Sequence, residues 1–165
     1  MSVKNELAQL EKGALIEILL DLYKKNKPVQ EYLNNYIKPD ENGLFEKYRA
    51  KVYEAFYPKR GFGYNLKQGK QGISDFKKLG PSAELLADLM LFYVETGVKF
   101  TDEYGDINEA FYNSMDSTYA NALKIINKEG LTDKFKLRAF QVLEVTRNMG
   151  WGFHDSLSAI FYQFY

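Results

Sequence analysis

The segment Pro81–Gly97, PSAELLADLMLFYVETG, decides the fold, because its apolar residues recur at helical spacing and cover more than half of a helix surface. A helix with so wide an apolar surface is buried among other helices. The pattern therefore predicts a central helix that ends at Gly97, since glycine is typical of the position just after a helix. The apolar positions are Leu85, Leu86, Leu89, Met90, Tyr93 and Val94.

The segments on both sides carry the same three- and four-residue apolar spacing and predict further helices. Prolines and glycines separate them, and the sequence lacks the alternating pattern of β-branched residues that marks strands. We expect an all-α protein in which residues 1–165 form a single domain of seven to eight antiparallel helices. Two architectures remain open: a solenoid-like stack of helical hairpins and an orthogonal bundle.

The composition excludes several classes of protein. The chain has no cysteine, which rules out disulfides, thiolate metal sites and cysteine nucleophiles. Its apolar runs are far shorter than the roughly 20 residues of a transmembrane helix, and no signal peptide is visible, so we expect a cytoplasmic protein. The 22 basic and 22 acidic residues balance, which disfavours a uniformly basic nucleic-acid binder.

This balance hides two oppositely charged segments. Residues 46–78 contain nine basic and three acidic residues, a net charge of +6. Residues 84–116 contain eight acidic residues and one basic residue, a net charge of −7. If the two segments lie on different faces, the protein is dipolar and suited to an oriented charged partner or to self-association. If they face each other, they neutralise one another within the fold.

A loop within the basic segment combines basic, aromatic and glycine residues in the sequence YPKRGFGY, residues 57–64. Such a composition suits the stacking and phosphate contacts that bind single-stranded nucleic acid. The alternative is a solvated loop with its phenylalanine turned inward. The spacing fits neither a Walker motif nor a dinucleotide fingerprint. The candidate residues are Lys59, Arg60, Phe62, Tyr64, Lys67 and Lys70.

A second candidate site lies around an expected loop at Thr96–Gly105, followed by a capping box that begins at Asp106. Clustered carboxylates can hold Mg²⁺ or Ca²⁺, although the spacing does not match an EF-hand. The alternative is ordinary helix capping and solvated acids. Glu95 differs from the others because it lies on the most apolar helix, where an unpaired carboxylate is costly, so we expect it to have a partner. The candidates are Glu95, Asp102, Asp106 and Glu109.

His154 is the only histidine and precedes Asp155. As a functional residue it would be a general base or a metal ligand. As a structural residue it would begin the last helix, with Trp151 and Phe153 anchoring the preceding turn in the core. A single histidine cannot form a two-histidine metal site, and hydrolase and kinase signatures are lacking. The sequence therefore leaves enzyme activity unsupported and indicates no catalytic residue, metal or cofactor.

The stretch Leu79–Tyr119, LGPSAELLADLMLFYVETGVKFTDEYGDINEAFYNSMDSTY, resembles a family of uncharacterised bacterial proteins of this length, common in Bacteroidetes. The opening LEKGALIEILLDLYKKNKPV, the FYPKRG loop and the closing MGWGFHDSLSAIFYQFY extend the resemblance over essentially the whole chain. It implies a bacterial, cytosolic, all-helical protein of unknown function. The resemblance supplies no activity and no catalytic residue.

Three hypotheses for the function follow from the residues. The first is a non-enzymatic helical scaffold or adaptor that binds a protein, a peptide or a second copy of itself. The second is a nucleic-acid-associated protein that uses residues 46–78. The third is a metal-assisted hydrolase built from residues 95–109 and His154. The first hypothesis requires least, because a helical surface alone is enough for it.

Overall fold

The computed structural model describes residues 2–165, and no strand occurs among them, so the predicted all-α class is confirmed. No helix within this range is long and apolar enough to cross a membrane. The described residues form nine α-helices and one 3₁₀ turn, Thr146–Asn148. The helices are α1 (Val3–Leu7), α2 (Lys12–Lys25), α3 (Lys27–Ile37), α4 (Glu41–Glu54), α5 (Leu66–Lys78), α6 (Ala83–Tyr104), α7 (Glu109–Lys128), α8 (Thr132–Val145) and α9 (Phe153–Phe164).

The chain divides into two compact units, one up to Glu41 and one from Asn42 to Tyr165. A single domain over residues 1–165 therefore stays a prediction. The first unit contains α1, α2 and α3, and none of its helical residues is buried. Tyr23 of α2 donates a hydrogen bond to the Asn34 side chain of α3 over 3.1 Å, so these two helices form a hairpin.

The second unit is built around α6, which alone contributes twelve buried residues. Aromatic rings from α6, from α7 and from the turn after α4 form the centre of its core. Phe56, which follows α4, packs edge-on against Tyr93 of α6 and against Phe111 of α7, with ring centroids 5.1 and 6.2 Å apart. The prediction that the Pro81–Gly97 segment forms the central helix is confirmed.

The predicted end of that helix at Gly97, and the loop expected at Thr96–Gly105, are wrong. Helix α6 continues to Tyr104, and Gly97 lies inside it. A Cβ atom at Gly97 would collide with the sulfur of buried Met115 in α7. Gly97 is therefore needed for the close approach of α6 and α7, and it does not end the helix.

The capping box with Asp106 as its first residue is also wrong. Asn108 caps α7, its side chain accepting a hydrogen bond from the Phe111 amide over 3.0 Å. Asp106 accepts hydrogen bonds from the Tyr112 hydroxyl and from the Gly150 amide, at 2.6 and 3.1 Å. Asp106 lies two residues too early to cap α7. It instead links the start of α7 to the turn before α9 through these two hydrogen bonds.

Only one of the two aromatic residues expected to anchor the turn before α9 does so. Phe153 is buried, whereas Trp151 is 62% exposed. Trp151 adopts a positive φ of 60°, and Gly152 follows with a φ of 65°. We attribute the outward position of Trp151 to this left-handed turn, with Phe153 entering the core as the first residue of α9.

Candidate binding groove

Two polar stripes, one on α5 and one on α7, line the same groove. The α5 stripe consists of Lys70, Ser74 and Lys77, and the α7 stripe consists of Ser117, Asn121 and Lys124. Both stripes have the spacing i, i+4, i+7, which places their members on one side of a helix. Lys70 donates a hydrogen bond to Ser117 over 3.1 Å, so the stripes meet directly.

The groove has this shape because α5 packs closely on α6. A Cβ atom at Gly69 would lie 2.6 Å from the Tyr93 ring, so only glycine permits this approach. The Tyr93 hydroxyl, in turn, shares a hydrogen bond of 2.7 Å with Ser114 of α7. Burial raises the pKa of Tyr93 to about 12, an effect that the Ser114 hydrogen bond partly offsets. Tyr93 therefore holds the two walls in place and stays neutral.

The groove encloses about 440 Å³ and has an apolar floor. The side chains that form the floor are Ile73, Leu86, Met90 and Ile125. A second cavity of about 440 Å³ shares Lys70 with the first and extends the groove along α5 and α7. It adds Lys67, Leu66, Ala110, Asn113 and Ser114 to the lining. A ligand could therefore lie along α5 and α7 across both cavities, with apolar contacts below it and polar contacts at its sides.

The rim of the groove is positively charged. Within residues 2–165, none of the lysines Lys67, Lys77 and Lys124 forms an ion pair with an acidic side chain. Lys70 is oriented by Ser117, which itself donates a hydrogen bond to the Ser114 carbonyl over 3.1 Å. Four ammonium groups around an apolar floor favour an anionic ligand with apolar side groups.

The structure places the six candidate residues of the basic–aromatic segment in different surroundings. Phe62 is 75% exposed, yet its ring packs edge-on against Tyr104 with centroids 4.8 Å apart. Tyr64 packs against Phe111 at 5.2 Å and accepts a hydrogen bond from Asn108. Lys59 forms an ion pair of 2.7 Å with Glu54, and Arg60 is exposed. Of the six candidates, only Lys67 and Lys70 line the groove.

Glu95 has the partner that its apolar surroundings require. Arg138 of α8 binds it through two hydrogen bonds, Nε–Oε1 at 2.6 Å and Nη2–Oε2 at 2.9 Å. The same guanidinium also reaches the Asp88 carboxylate at 2.9 Å. Burial lowers the pKa of Arg138, but the two carboxylates raise it by more. This half-buried triad joins α6 to α8 and engages both carboxylate oxygens of Glu95.

The other acidic candidates lie apart. Asp102 and Glu109 are exposed, and Asp106 makes the two hydrogen bonds given above. Neighbouring Glu103 accepts a hydrogen bond of 2.7 Å from Tyr57; burial, followed by this bond, raises the pKa of that tyrosine. In the part of the chain that the structure describes, no three histidine, aspartate or glutamate side chains gather to hold a metal ion.

His154 lies at the start of α9 and contacts the end of α8. Its Nδ1 is 3.1 Å from the Leu143 carbonyl and 3.2 Å from the Thr146 hydroxyl. A carbonyl oxygen only accepts hydrogen bonds, so Nδ1–H is the donor in a hydrogen bond to Leu143. Asp155 is exposed and makes no contact with the ring among the described hydrogen bonds. His154 therefore has a structural role: its side chain contacts a backbone carbonyl in the last turn of α8.

Sequence reasoning missed the α7 side of the groove: Ser117, Asn121 and Lys124. A signal was present, because the two stripes repeat the same spacing of polar residues on two helices that are otherwise amphipathic. Only the packing of α5 and α7 against the same helix, α6, shows that the two stripes share a groove.

Comparison with known proteins identifies the family of the chain. The family model described as "Family of unknown function (DUF6155)" matches residues 1–165, and the chain belongs to this family. No curated protein and no solved structure is detectably similar to it. This membership assigns no activity to the chain.

Proposed function

For this member of a family of unknown function, we propose a non-enzymatic helical adaptor whose groove between α5 and α7 binds an acidic, amphipathic segment of a partner protein. The observation that carries the proposal is a set of three lysines, Lys67, Lys77 and Lys124, that line the two cavities without an acidic partner among residues 2–165, together with the apolar floor of the first cavity. Acidic side chains of the partner would pair with the lysines, and its apolar side chains would fill the floor. We further propose that the protein acts in the bacterial cytoplasm, a proposal supported by the resemblance of its sequence to bacterial cytosolic proteins.

The groove favours a peptide over a nucleic acid. Single-stranded nucleic acid is held by stacking its bases on aromatic side chains. No tyrosine, phenylalanine or tryptophan lines either cavity. The floor of Ile73, Leu86 and Met90 instead matches the apolar side chains that a helical peptide presents at positions i, i+3 and i+4.

The experiment measures fluorescence anisotropy of a labelled peptide of about 14 residues, roughly 21 Å long as a helix, with leucines on one face and glutamates beside them. Wild-type protein is expected to bind it, and binding should weaken as salt rises, because ion pairs with the exposed lysines are screened. A matched peptide with lysine in place of glutamate should not bind.

The variant Lys77→Glu/Lys124→Glu should weaken binding of the acidic peptide about tenfold or more, since it places like charges beside the ligand. Lys38→Glu/Lys128→Glu changes the net charge by the same amount outside the groove and should leave binding unchanged. Equal losses in both variants, or tighter binding of a single-stranded oligonucleotide than of the acidic peptide, would contradict the proposal.

A further inference from the structure

The hairpin of α2 and α3 has an apolar surface much wider than one neighbouring helix can cover. Helix α2 presents leucine, isoleucine and tyrosine over an arc of about 200° at 100° per residue, whereas a surface helix commonly has an apolar stripe of about 100°. Ile16 is 46% exposed and Leu20 is 51% exposed, although both are large aliphatic residues. No residue of the hairpin is buried.

Two charged residues beside this exposed face have no partner. Glu17 and Lys24 lie next to Leu20 around the helix, and neither forms an ion pair within residues 2–165. Asp21 and Lys25, which lie about 100° and 140° from Leu20 around the helix, are instead paired with each other at 2.8 Å. The flank that borders Ile16 and Leu20 therefore carries one free negative charge and one free positive charge.

The spacing of Glu17 and Lys24 makes this flank complementary to itself. They are seven residues apart, about 10.5 Å along the helix, and so occupy the same position on successive heptads. When two identical helices pack antiparallel about a two-fold axis, the same flank of each faces the other. With the axis beside Leu20, Glu17 of each copy meets Lys24 of the other, and two ion pairs form.

From this charge pattern and the exposed face we infer that the α2–α3 hairpin is a dimerisation element. It packs against the same hairpin of a second copy, with α2 antiparallel to its counterpart, in a four-helix arrangement. Ile16 and Leu20 become buried, and the contact is isologous, as in most homodimers. Tyr32 and Tyr36 of α3, which stack at 6.5 Å and are exposed, extend the apolar surface beside it. None of the residues of this interface lines the groove of the proposed function.

The test is sedimentation of the full-length protein over a range of about 1 to 200 µM, a span that covers micromolar dimers. Wild type is expected to change from monomer to dimer within that range. Glu17→Lys and Lys24→Glu each place like charges opposite one another and should raise the dimer dissociation constant about tenfold. The double variant Glu17→Lys/Lys24→Glu restores both pairs and should return the constant to near that of wild type.

The swap Asp21→Lys/Lys25→Glu is the matched control, because it exchanges two charges that already pair within one chain and lie farther from Leu20 around the helix. It should leave the dissociation constant unchanged. Leu20→Asp, at a position already exposed in the single chain, should abolish the dimer without changing the helical content measured by circular dichroism. A wild-type protein that stays monomeric up to the highest concentration would overturn the inference. So would a dimer that is insensitive to Leu20→Asp, or a double variant no better than the single ones.

Discussion

The two units of the chain use apolar residues in different ways. The second unit has completely buried side chains, such as Tyr93, Phe111 and Met115. Its helices approach so closely that positions 69 and 97 require glycine. In the first unit, a helix as rich in leucine and isoleucine as α2 has no buried residue. A similar amphipathic pattern thus produces a core in one unit and an exposed apolar surface in the other, and we assign that surface to a second copy.

The largest effect on stability is expected from Arg138→Met in the second unit. The variant keeps the aliphatic part of the side chain but leaves Glu95 and Asp88 half-buried and unpaired. Breaking a buried pair costs about 3–5 kcal/mol, and the partial exposure here reduces this to about 2–3 kcal/mol. Urea denaturation measures the loss. Lys134→Met, which removes an exposed ion pair with Glu84, should cost less than about 1 kcal/mol.

Two glycine substitutions compare the packing of the two units directly. Gly69→Ala introduces a Cβ atom 2.6 Å from the buried Tyr93 ring and should destabilise the second unit by about 1–2 kcal/mol, even after the better helix propensity of alanine is counted. Gly13 of α2 has nothing within 4 Å of its Cβ position. Gly13→Ala should therefore stabilise its helix by about 0.5–1 kcal/mol. A loss of stability in Gly13→Ala would show that the first unit is packed more tightly than described.

The smallest effect concerns pH. Burial raises the pKa of Asp116 in α7, and the hydrogen bond from Ser156 of α9 lowers it only partly. A carboxyl group whose pKa is raised by folding binds its proton more tightly in the folded state. Its contribution to the free energy of unfolding is therefore most favourable at low pH. That contribution is lost as the pH rises above the unfolded value of 3.8 and through the folded pKa.

Asp116→Asn removes this titration while its side-chain oxygen can still accept the Ser156 hydrogen bond. The free energy of unfolding at neutral pH is expected to rise slightly, by less than the Gly69→Ala effect. Between about pH 4 and pH 7, the difference in stability between variant and wild type should grow as the pH rises. A difference that does not change with pH, or that shrinks, would contradict the assignment.

The sequence predicts those features of the fold that depend on one helix at a time. The apolar spacing in Pro81–Gly97 correctly indicates a central helix, and the isolated charge of Glu95 correctly indicates a partner. The identity of that partner, Arg138, depends on the packing of α8 against α6, which no local pattern contains. Gly97 shows the limit most clearly, because a glycine that ends a helix and a glycine that admits a neighbouring side chain look the same in the sequence.

The sequence predicts the groove only in part, because the groove too depends on contacts between helices. The basic segment pointed to Lys67 and Lys70, but it grouped them with aromatic residues that pack around Phe100 and Phe111 instead. The α7 stripe of Ser117, Asn121 and Lys124 lies in a segment whose apolar spacing predicts only an amphipathic helix. The groove requires α5 and α7 to pack on the same helix, and the close approach of α5 to α6 depends on Gly69 and the buried Tyr93.

Amide hydrogen exchange of the full-length protein, measured residue by residue at low and at high protein concentration, tests the contrast between the two units most directly. We expect the amides of α6 and α7 to exchange slowly and equally at both concentrations, because their protection comes from the core of one chain. The amides of α2 and α3 should exchange rapidly at low concentration and slow markedly at high concentration. Hairpin amides as protected as those of α6 at the lowest concentration, or equally unprotected at both, would contradict the account.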